Sequence, residues 1–147
     1  INIFDIIKEV RDFYTHELNK KNITMKLNGE PAYINAVPHL IQEIVFNLVD
    51  NAIKDNKENG SIIISVSKTS EKNVILSVKD SGIGIPNDEI LRIFERFYRV
   101  DKSHSKQING TGLGLSIVQN AADYHNAKIE VSSEIGVGTE FSVIFNS

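Results

Sequence analysis

Glu43, Asn47, Asn51 and Lys54 sit at i, i+4, i+8 and i+11, so on a helix they form one polar stripe. Amide oxygens are hard ligands suited to Mg²⁺, and a lysine can neutralise phosphate. A polar stripe by itself also reads as a solvated face. Two asparagines one turn apart are unusual helix-interior choices, since asparagine is a poor helix former. A second polar group ends an apolar row. Val74, Leu76, Val78 and Asp80 share a strand face, by the period of two, and "SGIGIP" follows at once. A turn signal accounts for Asp-Ser-Gly but less well for a second glycine at Gly84. A buried carboxylate needs a partner, and a ligand's amino group would be one. Thr139 begins a third row, with Phe141, Val143 and Phe145. If its strand runs antiparallel beside that of Asp80, the two polar groups meet at one sheet edge.

The stretch "NGTGLGLSIVQNAADYH", residues 109–125, places Gly110, Gly112 and Gly114 before an apolar-periodic helix. A dinucleotide-binding turn needs a strand immediately before G-x-G-x-x-G. Here a polar run, "VDKSHSKQIN", precedes the glycines, and their spacing is one residue too short. Glu130 falls mid-strand, opposite Ile129 and Val131, rather than at a strand end where it would meet a ribose. No Gly-Lys-Ser/Thr follows, so a Walker loop fails too. What remains is a glycine-rich hinge at a helix N-terminus, whose free N–H groups suit an anion, behind a polar loop that could act as a lid.

These residues need elements to hold them. Pro38 starts a helix to about Lys54, whose Ile41, Ile44, Val45, Leu48, Val49 and Ala52 form the core-facing stripe, as helical spacing requires. "SIIISVS" (61–67) and "NVILSVKD" (73–80) alternate as a hairpin. An amphipathic helix is expected over 3–19, strands at "ITMKL" (23–27) and "AYIN" (32–35), and a short helix after Pro86. A helix from about Leu113 and two strands, "KIEVSS" and "TEFSVIF", close the chain. Helices and strands mix without βαβ alternation, which predicts a two-layer α/β (α+β) sandwich. It would have one mixed, largely antiparallel sheet of about five strands, covered by about three helices.

The chain has 147 residues, no cysteine and a net charge of −3. That length suits one domain, residues 1–147, by the usual size prior. Disulfides and thiolate metal sites are excluded, which fits a reducing cytosol. The charge gives no electrostatic reason to expect nucleic acid. Since it opens at Ile1 and its one methionine is Met25, the chain is expected to be a fragment of something longer.

Five stretches in order, "NLVDNAIK" (47–54), "DSGIGI" (80–85), "FERFYR" (94–99), "GTGLGL" (110–115) and "GVGT" (136–139), resemble the N, G1, F, G2 and G3 boxes of sensor histidine kinases. The resemblance is to the catalytic and ATP-binding domain, of the Bergerat type shared with gyrase, Hsp90 and MutL ATPases. It implies that Asn51 would ligate Mg²⁺ bridging the ATP phosphates, supported by Asn47, with Lys54 contacting phosphate. Asp80 would accept the adenine amine, with Thr139 sharing a water. A carboxylate would reject guanine's carbonyl, worth ~1–3 kcal/mol for an unpaired buried polar group. Gly82, Gly84 and Ile85 would line the base. Tyr98 and Arg99 would reach the nucleotide, Arg99 stabilising charge at the γ-phosphate. Gly110, Thr111, Gly112, Leu113, Gly114 and Leu115 would form the lid's closing end, while Phe94 and Phe97 read better as core anchors of the lid.

Two departures matter. An aromatic commonly follows the N-box lysine in this family, but here it is Asp55, which predicts weak ATP affinity. Asn47 stands where related ATPases carry a water-activating glutamate, which favours transfer to a histidine over hydrolysis. "THELNKK" (15–21) resembles the start of a phosphoacceptor box, but it lacks the proline and the room for a helical hairpin. His16 is therefore read as a surface residue, and His104 as an exposed lid residue. The accepting histidine would lie on a separate dimerisation domain, with a response regulator downstream. The parent would be a homodimer and this domain a monomer, forming the cytoplasmic part of a membrane-anchored sensor. A hydrolytic ATPase and a nucleotide-weak interaction module are the competing readings.

Overall fold

The computed structural model describes residues 1–95 and 114–146. Four helices occupy α1 (Ile3–Phe13), α2 (Thr15–Lys20), α3 (Pro38–Lys54) and α4 (Gly114–Tyr124). Five strands, β1 (Thr24–Gly29), β2 (Ser61–Lys68), β3 (Val74–Asp80), β4 (Lys128–Glu134) and β5 (Gly138–Phe145), form one sheet in the order β1-β2-β3-β5-β4. β1 runs parallel to β2 and every other pair is antiparallel. The mixed, largely antiparallel sheet is thus as anticipated.

Alternation decides which face is covered. Ile62, Ile64 and Val66 of β2, Val74, Leu76 and Val78 of β3, and Phe141, Val143 and Phe145 of β5 are all buried. Their in-between neighbours are half-buried or exposed. The helices lie on the buried face: α3 packs against α1, α4 and β3, and α4 also against β4. The apolar stripe of α3 is buried throughout, with Ile53 added to it. Pro38 occupies the first turn of α3, where its missing N–H costs nothing. The neighbouring Val37 N–H is taken by His125 Nε2 at 3.0 Å, which ties the start of α3 to the end of α4.

The single helix expected over 3–19 is two. The backbone leaves helical geometry at Tyr14 (φ −93°, ψ 9°). There the Tyr14 ring stands edge-on to Phe13 and Phe46, with centroids 5.1 and 5.9 Å away, the favoured aromatic arrangement. "AYIN" makes no strand: its only pairing is an isolated bridge between Tyr33 and Asn2. Ala32 and Ile34 are buried while Tyr33 is exposed, so the alternation is real but no ladder forms. The short helix after Pro86 is a 3-10 helix, Asn87–Arg92. No described helix is long and apolar enough to cross a membrane.

Candidate functional site

β3 ends at Asp80, and the register sets Asp80 directly opposite Thr139 of β5, which in turn faces Ser133 of β4. The meeting of Asp80 and Thr139 at one sheet edge is therefore observed. Asp80 is only 6% exposed. Its Oδ1 accepts two backbone N–H groups, from Gly82 at 2.8 Å and from Thr139 at 3.3 Å. Oδ2 has no hydrogen-bond partner among the described residues, yet no buried side-chain oxygen is left unsatisfied. Oδ2 is thus an accessible acceptor on an otherwise buried carboxylate. Burial pushes the Asp80 carboxyl up to about 6; the Gly82 and Thr139 N–H groups pull it back, and the Asp55 charge adds to the rise. Burial wins because the charged form is lifted out of water.

The loop after Asp80 is fixed by close backbone approaches. At Gly82 a Cβ would collide with the Asp55 carbonyl oxygen, which also accepts the Ile83 N–H at 3.2 Å. At Gly84, held at φ +79°, a Cβ would collide with the Glu134 carbonyl. Both glycines are needed by the protein's own backbone, whatever binds beside them. The Ile85 N–H donates to Ser133 Oγ at 2.7 Å, and that oxygen lies 2.8 Å from Thr139 Oγ1. Ile85 itself is buried in the core. Ser133 therefore joins the G1-like loop to β5. Sequence reading missed it, because only the β4–β5 register places it opposite Thr139.

On α3 the polar stripe is bonded within its own helix. Asn47 Nδ2 donates to the Glu43 carbonyl at 2.7 Å. A Cβ at Gly114, the first residue of α4, would lie 3.1 Å from Asn47 Oδ1, so that carboxamide sits against the start of α4. Asn51 is half-buried and its side chain has no hydrogen-bond partner among the described residues. Lys54 Nζ pairs with Asp50 Oδ2 at 2.9 Å, one turn back. The Asp55 carbonyl that receives Ile83 links this stripe to the Asp80 loop. Asn47, Asn51, Lys54, Asp80, Gly82, Gly84, Gly114 and Thr139 thus belong to two connected clusters. Leu115 packs against the core, and Glu130 is exposed on β4.

Tyr98, Arg99, Gly110, Thr111, Gly112 and Leu113 lie outside the described residues, as do Phe97 and His104. Phe94 stands edge-on to Phe141 with centroids 6.2 Å apart, in keeping with a core anchor. His16 is exposed on α2, as anticipated. No group of three or more His, Cys, Asp or Glu among the described residues could hold a metal. An open amide oxygen at Asn51 nonetheless suits Mg²⁺, which keeps most of its ligands from phosphate and water.

Residues 36–147 match the family described as histidine kinase-, DNA gyrase B- and HSP90-like ATPases. The chain belongs to that family. It is 38% identical over 129 residues to the signal transduction histidine-protein kinase ArlS of Staphylococcus aureus, covering 88% of this chain and 26% of ArlS. It therefore spans about a quarter of the length of the curated relatives it matches. The catalytic domain of histidine kinase ThkA superposes with a TM-score of 0.85 at 30% identity, covering 99% of this chain and 93% of that one. Full-length ShkA, solved in complex with AMPPNP, also gives 0.85 at 28% identity, over 99% of this chain and 30% of ShkA. The fold and family are those of the catalytic, ATP-binding part of sensor histidine kinases.

Proposed function

We propose that residues 1–147 act as one catalytic domain that binds Mg-ATP and delivers its γ-phosphoryl group to a histidine on a separate dimerisation domain, for relay to a response regulator. One observation carries the reading: Asp80 Oδ2 is an open acceptor on a buried carboxylate whose other oxygen is held by two backbone donors. Such a group selects a ligand edge that donates, as the adenine amine does, and rejects a carbonyl. Thr139 adds a hydroxyl beside it. At the other end, Asn51 and Asn47 would hold Mg²⁺ with the phosphates, and Lys54 would neutralise phosphate charge. When bound, Mg²⁺ would neutralise charge developing on the phosphates during transfer. Arg99 and Tyr98, with Gly110, Thr111, Gly112 and Leu113, would close the site from the lid.

No carboxylate occupies the Asn47 position, where a water-activating base would stand. Transfer to a histidine is thus favoured over hydrolysis. Asp55 adds negative charge beside the site, which supports weak ATP affinity. The domain would work as a monomer within a homodimeric parent, on the cytoplasmic side of a membrane-anchored sensor.

The test supplies the parent's histidine domain in trans with labelled ATP. Label on the histidine, lost in Asp80→Ala together with at least about 100-fold of ATP affinity, supports the reading. Sustained phosphate release without labelled histidine would make the domain a hydrolase. A folded domain that binds no ATP would make it an interaction module.

A further inference from the structure

Asn56 lies outside the nucleotide site, two residues past the end of α3, yet it is only 7% exposed. Both ends of its carboxamide are engaged. Oδ1 accepts the Lys57 N–H at 3.0 Å and the Ser81 hydroxyl at 3.1 Å, while Nδ2 donates to the Ser61 carbonyl at 3.0 Å. Ser81, the residue between Asp80 and Gly82, is bound twice more to the start of β2. Its Oγ accepts the Ser61 N–H at 2.8 Å, and its own N–H donates to the Ser61 carbonyl at 3.1 Å. A Cβ at Gly60 would collide with Asn56 Oδ1, so the turn leaves room for this amide. One buried side chain thus joins the end of α3 to the first residue of β2 and to the loop beyond Asp80.

A second clamp acts on the same place. Lys21, just after α2, donates its ammonium to the carbonyls of Ile53 at 2.9 Å and of Lys54 and Asn56 at 3.3 Å. The carbonyl it passes over, that of Asp55, takes the Ile83 N–H. Carbonyls at a helix C-terminus lack partners within the helix and favour a cation. Here all four from Ile53 to Asn56 meet a donor from a distant segment. Lys21 is anchored in turn, its own carbonyl accepting the Asn59 N–H at 3.0 Å. The last turn of α3, which carries Asn51 and Lys54, therefore cannot shift against the strand end that carries Asp80 without breaking these bonds. A ligand that spans two subsites gains from the second only when their spacing matches its length. We propose, on the nucleotide reading above, that Asn56 and Lys21 are positioning residues that set the spacing between the base acceptor Asp80 and the phosphate-end residues Asn51 and Lys54. Removing Asn56 leaves Asp80 in place, because Gly82 and Thr139 still hold Oδ1 and Ser61 still binds Ser81 twice. What it frees is the end of α3.

The experiment titrates the chain with adenosine, which carries no phosphate, and with Mg-ATP, following amide NMR signals of the folded protein. Asn56→Ala should weaken Mg-ATP about tenfold, the scale of one lost buried hydrogen bond, and leave adenosine within about twofold. Lys21→Met should weaken Mg-ATP about threefold, as befits a partly exposed charge, again without moving adenosine. Lys21→Arg, which keeps a cation at the same carbonyls, should retain the Mg-ATP affinity of the unsubstituted chain. The proposal is overturned if adenosine weakens in step with Mg-ATP, as a merely structural role would cause. It is also overturned if folded Asn56→Ala binds Mg-ATP as well as the unsubstituted chain does. Should Asn56→Ala fail to fold, the Lys21 pair decides: a loss confined to Mg-ATP and restored by arginine supports the proposal, and any other result overturns it. Failure of the unsubstituted chain to bind either ligand would instead remove the nucleotide reading, and this proposal with it.

Discussion

At the sheet edge, Asp80 is fixed by backbone donors from two directions, and the loop beyond it is locked against Asp55 and Glu134 by contacts that only glycine permits. On α3, Asn47 bonds to its own helix, Asn51 has no described partner, and Lys54 rests on a neighbouring carboxylate. The base end of the proposed site is built by strand register and needs no movement to receive a donor. The phosphate end consists of side chains whose present partners are local and replaceable. Recognition of a base there would be preorganised by the fold, while recognition of phosphate would depend on what the ligand displaces. A site divided in this way can hold a nucleotide by its base and still let the phosphate end respond to a neighbouring domain.

Breaking the rigid end should have the largest effect. Gly84 and Gly136 both hold left-handed φ values, +79° and +81°. Only at Gly84 would a Cβ meet backbone, whereas nothing lies within 4 Å at Gly136. Gly84→Ala should lower stability by about 3 kcal/mol or more, and Gly136→Ala by about 1 kcal/mol from backbone strain alone. Urea unfolding of the two variants measures the difference. Equal losses would mean that the loop is not locked against β4 and that the two ends differ less than described.

The second test uses charge. Asp80 ordinarily titrates near 3.8 but is pushed up to about 6 by burial, so the folded state binds the proton more tightly than the unfolded chain. Below about pH 4 both states are protonated and no penalty exists. Stability then falls as pH rises through the window to about 6. A shift of about two pH units corresponds to roughly 3 kcal/mol. Asp80→Asn keeps an oxygen for the Gly82 and Thr139 N–H groups but carries no charge. It should be more stable than the parent chain by up to about 3 kcal/mol above pH 6, with no advantage below pH 4, while losing affinity for ATP. A variant that gained nothing at pH 8 would show that Asp80 is better solvated than its burial indicates.

The smallest effect belongs to the looser end. Asn51→Ala should weaken Mg-ATP about tenfold, as loss of one metal ligand or its support does. It should leave Mg-free ATP binding and the unfolding midpoint nearly unchanged. A comparable loss without Mg²⁺ would place Asn51 in direct contact with the nucleotide and sharpen its role.

Much of this was legible from one chain. The period-two rows placed Asp80 and Thr139 at row ends, and the helical spacing of α3 separated its buried stripe from its polar one. Those patterns are local, and local geometry follows from residue spacing. The break at Tyr14 was not legible, because the 3–19 segment keeps an amphipathic pattern while the Phe13–Tyr14–Phe46 contacts come from another helix. The isolated bridge at Tyr33 was likewise hidden, since alternation predicts burial but not whether a partner strand is present.

The sequence by itself therefore determined which residue types were available for base, metal and phosphate, and on which face of its element each would stand. Only the tertiary structure decided that Asp80 Oδ1 is consumed by backbone while Oδ2 stays open, that Ser133 completes the Thr139 edge, and that Lys54 rests on Asp50. The physical reason is range. Periodicity is written in neighbouring residues, whereas hydrogen-bond partners and burial depend on which distant segments the packed core brings within about 3 Å of each other.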